Sequence, residues 1–263
     1  MSAARFYLDR RYATIVIVAL VAFLSYDLAD YLLRIADQPR NLQELAGRQL
    51  ESLILAGAVG SALTALLAAR HSRFSGRDYT VTAARTPLRR TAVQFVSAAV
   101  PLSAGWILFV VVSGVRSGLT AAAFPAVAVI AVSIAALFVS VAIGQFVGAF
   151  LRPFLAVPAA FVASYLFAAT FSIVGDDSWM QWLGTGFGDQ LSGTVQPMWV
   201  AGEIFWFAGV TLALLGGSAA TMANPRRLPS SFLWVTGLLL VVGIALLSTN
   251  GASATTDEAL GGL

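Results

Sequence analysis

Runs of apolar residues, each ended by a short polar or charged segment, recur along the whole chain. A helix needs about 20 mainly apolar residues to cross the hydrocarbon core of a bilayer, and most of these runs approach or exceed that length. The pattern predicts an all-α polytopic membrane protein with seven spans, at residues 13–33, 53–69, 96–115, 120–151, 154–174, 203–223 and 232–249. The fourth run is longer than one crossing requires, so we expect it to tilt or to bend near Pro125.

The segments between the runs differ in character. Residues 70–95 form a strongly basic loop, and residues 176–202 form a loop that contains Gly, Trp and acids but no Arg. Residues 34–52 carry apolar side chains at helical spacing, which predicts an outer amphipathic helix leading into the second span. The chain thus divides into a cytoplasmic interfacial segment, a six-span domain, a basic turn with the seventh span and a disordered tail, at residues 1–12, 13–223, 224–249 and 250–263.

The basic residues set an orientation. All sixteen are Arg, and twelve of them fall in residues 1–12, in the basic loop, at Arg152 and in the basic turn. Because an excess of Arg marks cytoplasmic loops, we expect a multi-pass protein of the cell membrane with its N-terminus inside and its C-terminus outside. The first run could also be a signal peptide, but no small-residue cleavage pattern follows it, so we interpret it as a span.

Composition agrees with a membrane protein and excludes several chemistries. The chain is 58% hydrophobic and 11% charged, with a mean hydropathy of +0.81. It has no Lys for a retinal Schiff base, no Cys, and His71 as its one histidine. A P-loop and an HExxH motif are also absent. We therefore expect no catalytic residue, no metal site and no cofactor. We also expect no nucleic-acid partner, because the Arg residues lie at helix ends and do not form a basic face.

Few acids lie near the predicted spans, and we single out Asp27 and Glu203 as candidates for a pathway or gate. The favoured interpretation is that these acids are solvated at the outer interface. Trp179 and Trp182 in the outer loop are either interfacial anchors or parts of short helices that close the outer mouth of a pathway. Gly144 and Gly148 form a GxxxG pair, which lets a neighbouring helix approach closely and more often means generic packing than a dimer face.

Three features resemble the membrane subunit of ABC-2 type ATP-binding-cassette transporters. The sequence DYTVTAARTPLRR at residues 78–90 is similar to the family's short cytoplasmic helix followed by Thr-Pro and a basic stretch. The sequence GQFVGAFLRP at residues 144–153 resembles its Gly-rich end of the fourth span. The order of a basic N-terminal segment, six spans and an outer loop between the fifth and sixth also matches, over residues 1–223. The seventh span departs from the family pattern.

This resemblance implies a permease subunit that is powered by a separate ATPase subunit, which would hold the ATP. It implies a homodimer, or a heterodimer with a related permease, in the lipid bilayer. The residues expected to contact the ATPase are Asp78, Tyr79, Arg85, Pro87, Arg89 and Arg90. We expect export, and apolar pathway walls suit a hydrophobic or amphipathic substrate such as a drug, lipid or peptide. Two alternatives stay open, a non-transporting membrane scaffold or assembly protein and an ion-coupled secondary carrier.

Overall fold

The structure is a computed structural model that describes residues 42–73, 87–116, 124–174, 197–222 and 228–254. Nearly all of these residues are helical, and no strand occurs among them. The helices are α1 Leu42–Arg73, α2 Pro87–Arg116, α3 Phe124–Phe150, α4 Pro153–Val174, α5 Pro197–Met222 and α6 Ser230–Ala254. The predicted all-α class is therefore confirmed for the described part of the chain, whereas the first predicted span lies outside it.

Four of these helices are long and apolar enough to cross a membrane. They are α2, α3, α5 and α6, over Pro87–Val112, Ile130–Phe150, Pro197–Thr221 and Ser230–Thr249. The apolar stretches of α1 and α4 are shorter, at Leu53–Ala69 and Pro153–Ala169. These helices agree with the predicted class of membrane protein.

Two helices begin earlier than the apolar runs indicated. We predicted the third span from Val96, but α2 begins at Pro87, and we predicted the sixth from Glu203, but α5 begins at Pro197. Both helices start with a proline, whose fixed φ suits the first helical position and whose missing N–H costs nothing there. Hydropathy locates the membrane-crossing part of a helix, so it does not detect the turns that precede it.

Other helix ends also differ from the prediction. The described part of the amphipathic segment, residues 42–52, and the second span join into one continuous helix, α1. Pro125 is the second residue of α3, so it begins that helix and does not bend it. Helix α6 continues to Ala254, five residues into the tail that we predicted as disordered from Asn250.

Consecutive helices alternate in direction. Helices α1 and α3 run parallel, because Gly57, Ser61 and Ala65 of α1 lie level with Ser140, Gly144 and Gly148 of α3, respectively. Helices α5 and α6 run antiparallel, because Gly202 lies beside Leu246 and Gly216 beside Phe232. One end of the bundle therefore holds the last turns of α1, α3 and α5 together with the first turns of α2, α4 and α6.

Helix α3 is the central element and contacts α1, α2, α4 and α5. Its glycine pair meets α1, as the GxxxG motif predicts: a Cβ added at Gly148 would lie 2.9 Å from the Cα of Ala65. The largest apolar cluster joins residues of α1, α2, α3, α5 and α6, with Trp106, Leu137 and Phe207 among its buried members. Helix α6 is the most open, and its Trp234 is 80% exposed.

Candidate functional site

Glu203 lies inside the bundle. It is on α5, about 9 Å along the helix axis from Pro197, and its side chain has no exposed surface. Trp199 and Phe207 lie one turn before and after it and belong to the main apolar cluster. Neither carboxyl oxygen has a hydrogen-bond partner among the described residues. The expectation of a solvated, interfacial acid is therefore wrong for Glu203.

Three helices of the described part of the chain pack against α5, and they carry few charged side chains. These helices are α2, α3 and α6. Helices α3 and α6 contain no acidic, basic, His or Tyr residue, and the basic residues of α2 are confined to its two ends. An ionised carboxylate without a partner is costly in such surroundings.

A second polar group lies at the other end of the bundle and centres on Gln145 of α3, which is fully buried. Its Nε2 donates a hydrogen bond of 2.9 Å to the carbonyl oxygen of Thr91 and one of 3.3 Å to Oε1 of Gln94. Both acceptors are on α2. The two bonds fix the first turns of α2 against the last turns of α3.

The described Arg residues are concentrated at this same end of the bundle. Arg89 and Arg90 are in the first turn of α2, where the Arg89 side chain is exposed and that of Arg90 half-buried. Arg70 and Arg73 are in the last turn of α1, and Arg152 separates α3 from α4.

Several predicted site residues cannot be compared with the structure. Pro87, Arg89 and Arg90 open α2, whereas Asp78, Tyr79 and Arg85 lie outside the described residues. Asp27, Trp179 and Trp182 lie outside them as well. The structure therefore describes the C-terminal part of the predicted coupling segment, in the first turn of α2. Of the two candidate acids, it describes Glu203.

Sequence reasoning missed three buried polar side chains, Gln145, Thr211 and Ser218. Gln145 could have been found because an amide interrupts an apolar run there, whereas Thr and Ser are common in apolar helices and gave no comparable signal. Among the described residues, no group of three or more His, Cys, Asp or Glu could hold a metal ion. Comparison of the chain with protein-family models, with curated proteins and with solved structures finds no match.

Proposed function

We propose that the chain is the membrane-spanning permease subunit of an ATP-binding-cassette transporter, driven by a separate ATPase subunit and paired with a second permease chain. The observation that carries the proposal is the grouping of Arg at one end of the bundle, on both sides of residues 74–86. Those residues contain most of the sequence that resembles the family's coupling segment. The residues of this group are Arg70, Arg73, Arg89, Arg90 and Arg152.

The helix that follows this segment is suited to transmit a push. Helix α2 runs from Pro87 to Arg116 with Pro101 inside it, so a force on its first turn acts directly on the part that precedes this proline. Gln145 ties that first part of α2 to α3, the central helix. Closure of an ATPase against the basic end would then shift α2 and α3 together as rigid bodies.

The substrate class follows from the surface of the same helix. The outward face of α2 is apolar along its length, from Val96 through Leu108 to Val115. Such a face meets lipid, or a path between two subunits. We therefore propose that the transported molecule is hydrophobic or amphipathic and that it is exported. Because Arg marks the cytoplasmic side, we also propose that the Arg-rich end lies in the cytoplasm, in a protein of seven spans.

The test is purification of the tagged protein from its native host in mild detergent, with mass spectrometry of the proteins that accompany it. We expect a P-loop ATPase that is lost on Tyr79→Ala or Arg85→Glu substitution, because these changes remove a contact or reverse a charge at the proposed interface. Arg116→Glu is the matched control, since it reverses a charge at the opposite end of α2 and should retain the ATPase. Absence of any ATPase after crosslinking would favour the scaffold function.

A second candidate is an ion-coupled carrier, and the burial of Glu203 favours it. Ionisable side chains inside membrane proteins often mark ion or proton pathways. In this case transport would continue without ATP and would fail in Glu203→Gln or Asp27→Asn. ATP-dependent transport that survives both substitutions would exclude this candidate.

A further inference from the structure

The charged residues of the described part of the chain are divided between the two ends of the bundle. The basic end holds the Arg residues at the ends of α1, α2 and α4. The acids among the described residues all lie toward the opposite end, and they are Glu44, Glu51 and Glu203. By sequence, residues 74–86 add two Arg and one Asp, and residues 223–227 add two Arg and no acid. The basic end therefore carries an excess of positive charge.

Helices α1 and α4 are in contact along the half of the bundle that leads to this end. The Ser61 hydroxyl of α1 donates a hydrogen bond of 3.1 Å to the carbonyl oxygen of Ala160 in α4. Nearer the basic end, Ala69 of α1 and Ala156 of α4 belong to one buried cluster. Small side chains at such a contact let two helices approach closely. The order of these contacts makes α1 and α4 antiparallel, so the end of α1 meets the start of α4.

This contact brings three Arg to one corner of the bundle, here called the arginine corner. It consists of Arg70, Arg73 and Arg152. Arg73 lies one turn beyond Ala69, and Arg152 lies one turn before Ala156, so their backbones are within about one turn of the same level. The Arg152 side chain is exposed, and its carbonyl oxygen accepts two backbone hydrogen bonds from the first turn of α4. These bonds fix the backbone of Arg152 at the start of α4.

The Arg at the other end of α1 is placed differently. Arg48 lies four residues after Glu44 and three before Glu51, the helical spacing at which opposite charges are neighbours. The arginine corner has no acid at such a spacing in α1 or α4. Positive charges that are brought to one level without an acid favour a ligand of opposite charge.

An apolar strip continues from the arginine corner along the exposed side of α4. It consists of Leu155, Val162 and Leu166. At 100° per residue these three fall within a sector of about 40°, and they span roughly 16 Å along the helix axis. That length is close to half of the roughly 30 Å hydrocarbon core, which is the depth of one leaflet. Phe150 and Phe154, on the two sides of Arg152 in the chain, are exposed as well.

We propose that the arginine corner and the apolar strip together bind an anionic phospholipid, with its phosphate at Arg152 and an acyl chain along α4. The planar guanidinium group of Arg matches the geometry of a phosphate. Clusters of basic residues at a membrane surface select lipids with net negative charge, whereas a zwitterionic lipid brings a positive charge of its own. The proposal goes beyond the proposed permease function, since the arginine corner contains none of the residues predicted to contact the ATPase.

The experiment is native mass spectrometry of the purified full-length protein, which is delipidated in detergent and then titrated with lipid. The two probes are phosphatidylglycerol and phosphatidylcholine with the same acyl chains. We expect the first phosphatidylglycerol to bind more tightly than the first phosphatidylcholine. Arg152→Gln should weaken phosphatidylglycerol binding by about fivefold and leave phosphatidylcholine binding nearly unchanged, because one Arg near the surface is lost.

Matched variants separate the arginine corner from general effects of substitution. Arg48→Gln makes the same change at the opposite end of the bundle and should keep the preference for phosphatidylglycerol. Arg152→Lys keeps the charge and should retain most of the binding. Leu155→Ala shortens an apolar side chain of the strip, so it should weaken the binding of both lipids alike. If Arg152→Gln does not fold, Arg73→Gln carries the test with the same expected loss.

Three results would overturn the proposal. The first is equal affinity of the unsubstituted protein for the two lipids. The second is an equal loss of phosphatidylglycerol binding in Arg152→Gln and Arg48→Gln, which would show that the charge is read at no particular place. The third is an Arg152→Gln protein that keeps its lipid preference but no longer copurifies with an ATPase, which would assign this Arg to a protein interface. Because the titration contains no ATPase, failure of the permease proposal would leave its result unchanged.

Discussion

Helices α3 and α5 each present glycine to one neighbour and polar side chains to another. In α3, Gly144 meets the backbone of α1, and the next residue, Gln145, bonds to α2. In α5, Gly202 meets Leu246 and Leu247 of α6, and the next residue is Glu203. Consecutive residues of a helix point about 100° apart, so one helix can make both kinds of contact at the same level.

The two kinds of contact do different work. Gly202, Gly209 and Gly216 recur every seventh residue of α5, and a Cβ at any of them would meet α6 at 3.0 Å or less. Such close contacts hold helices together by dispersion between tightly packed atoms, which is how helices associate in lipid. The polar contacts stabilise the bundle less than the glycine contacts do, and they leave several polar atoms without partners among the described residues. The glycine faces therefore carry stability, and the polar faces are free to carry function.

Replacing a glycine at one of these helix contacts should have the largest effect on stability. In Gly144→Ala the new Cβ would lie 2.9 Å from the Cα of Ser61 and closer still to its carbonyl oxygen, so one of the two helices must move. We expect a loss of about 3 kcal/mol in the free energy of unfolding, measured by denaturation in mixed micelles.

Gly237→Ala is the matched control, because a Cβ at that position of α6 meets nothing within 4 Å. It should leave stability unchanged or raise it slightly, since Ala is the better helix former. Equal losses of stability in Gly144→Ala and Gly237→Ala would show that replacing any glycine of these helices is destabilising. The contact with α1 would then not be the cause.

Removing the unpartnered acid should act in the opposite direction. Glu203→Leu replaces a buried carboxyl group, which has no partner among the described residues, by an apolar side chain of similar size. We expect stability to rise by about 2 kcal/mol, since the cost of burying the polar group disappears. Glu203→Gln keeps a polar group in the same position and should leave stability nearly unchanged. A destabilised Glu203→Leu would mean that the carboxyl group has a stabilising partner.

The apolar runs predicted the starts of two helices well. Helix α4 begins at Pro153 and α6 at Ser230, within two residues of the predicted starts. The runs failed at α2 and α5, whose first turns contain Arg89 and Arg90 or precede an acid. Charged residues lower hydropathy without ending a helix, so a hydropathy boundary and a helix boundary need not agree.

The candidate site was only half accessible from the sequence. Glu203 could be found because it is an acid beside an apolar run, but its burial could not, since burial depends on which helices cover that face. Thr211 and Ser218 look ordinary in the sequence, because Thr and Ser are common in apolar helices. What distinguishes them is the absence of a bond to their own helix, which only coordinates reveal.

The smallest effect should come from a polar contact that has its partner. Gln145→Leu removes the 2.9 Å bond to the Thr91 carbonyl oxygen and the 3.3 Å contact with Gln94, which together join α3 to α2. A single hydrogen bond contributes about 1 kcal/mol, so we expect a loss of that size, less than in Gly144→Ala and opposite in sign to Glu203→Leu. The same micelle denaturation measures it, with Gln145→Glu as a variant that keeps the length of the side chain. If Gln145→Leu instead stabilised the protein as Glu203→Leu does, the partnered and unpartnered polar groups would be energetically alike, and the distinction between them would fail.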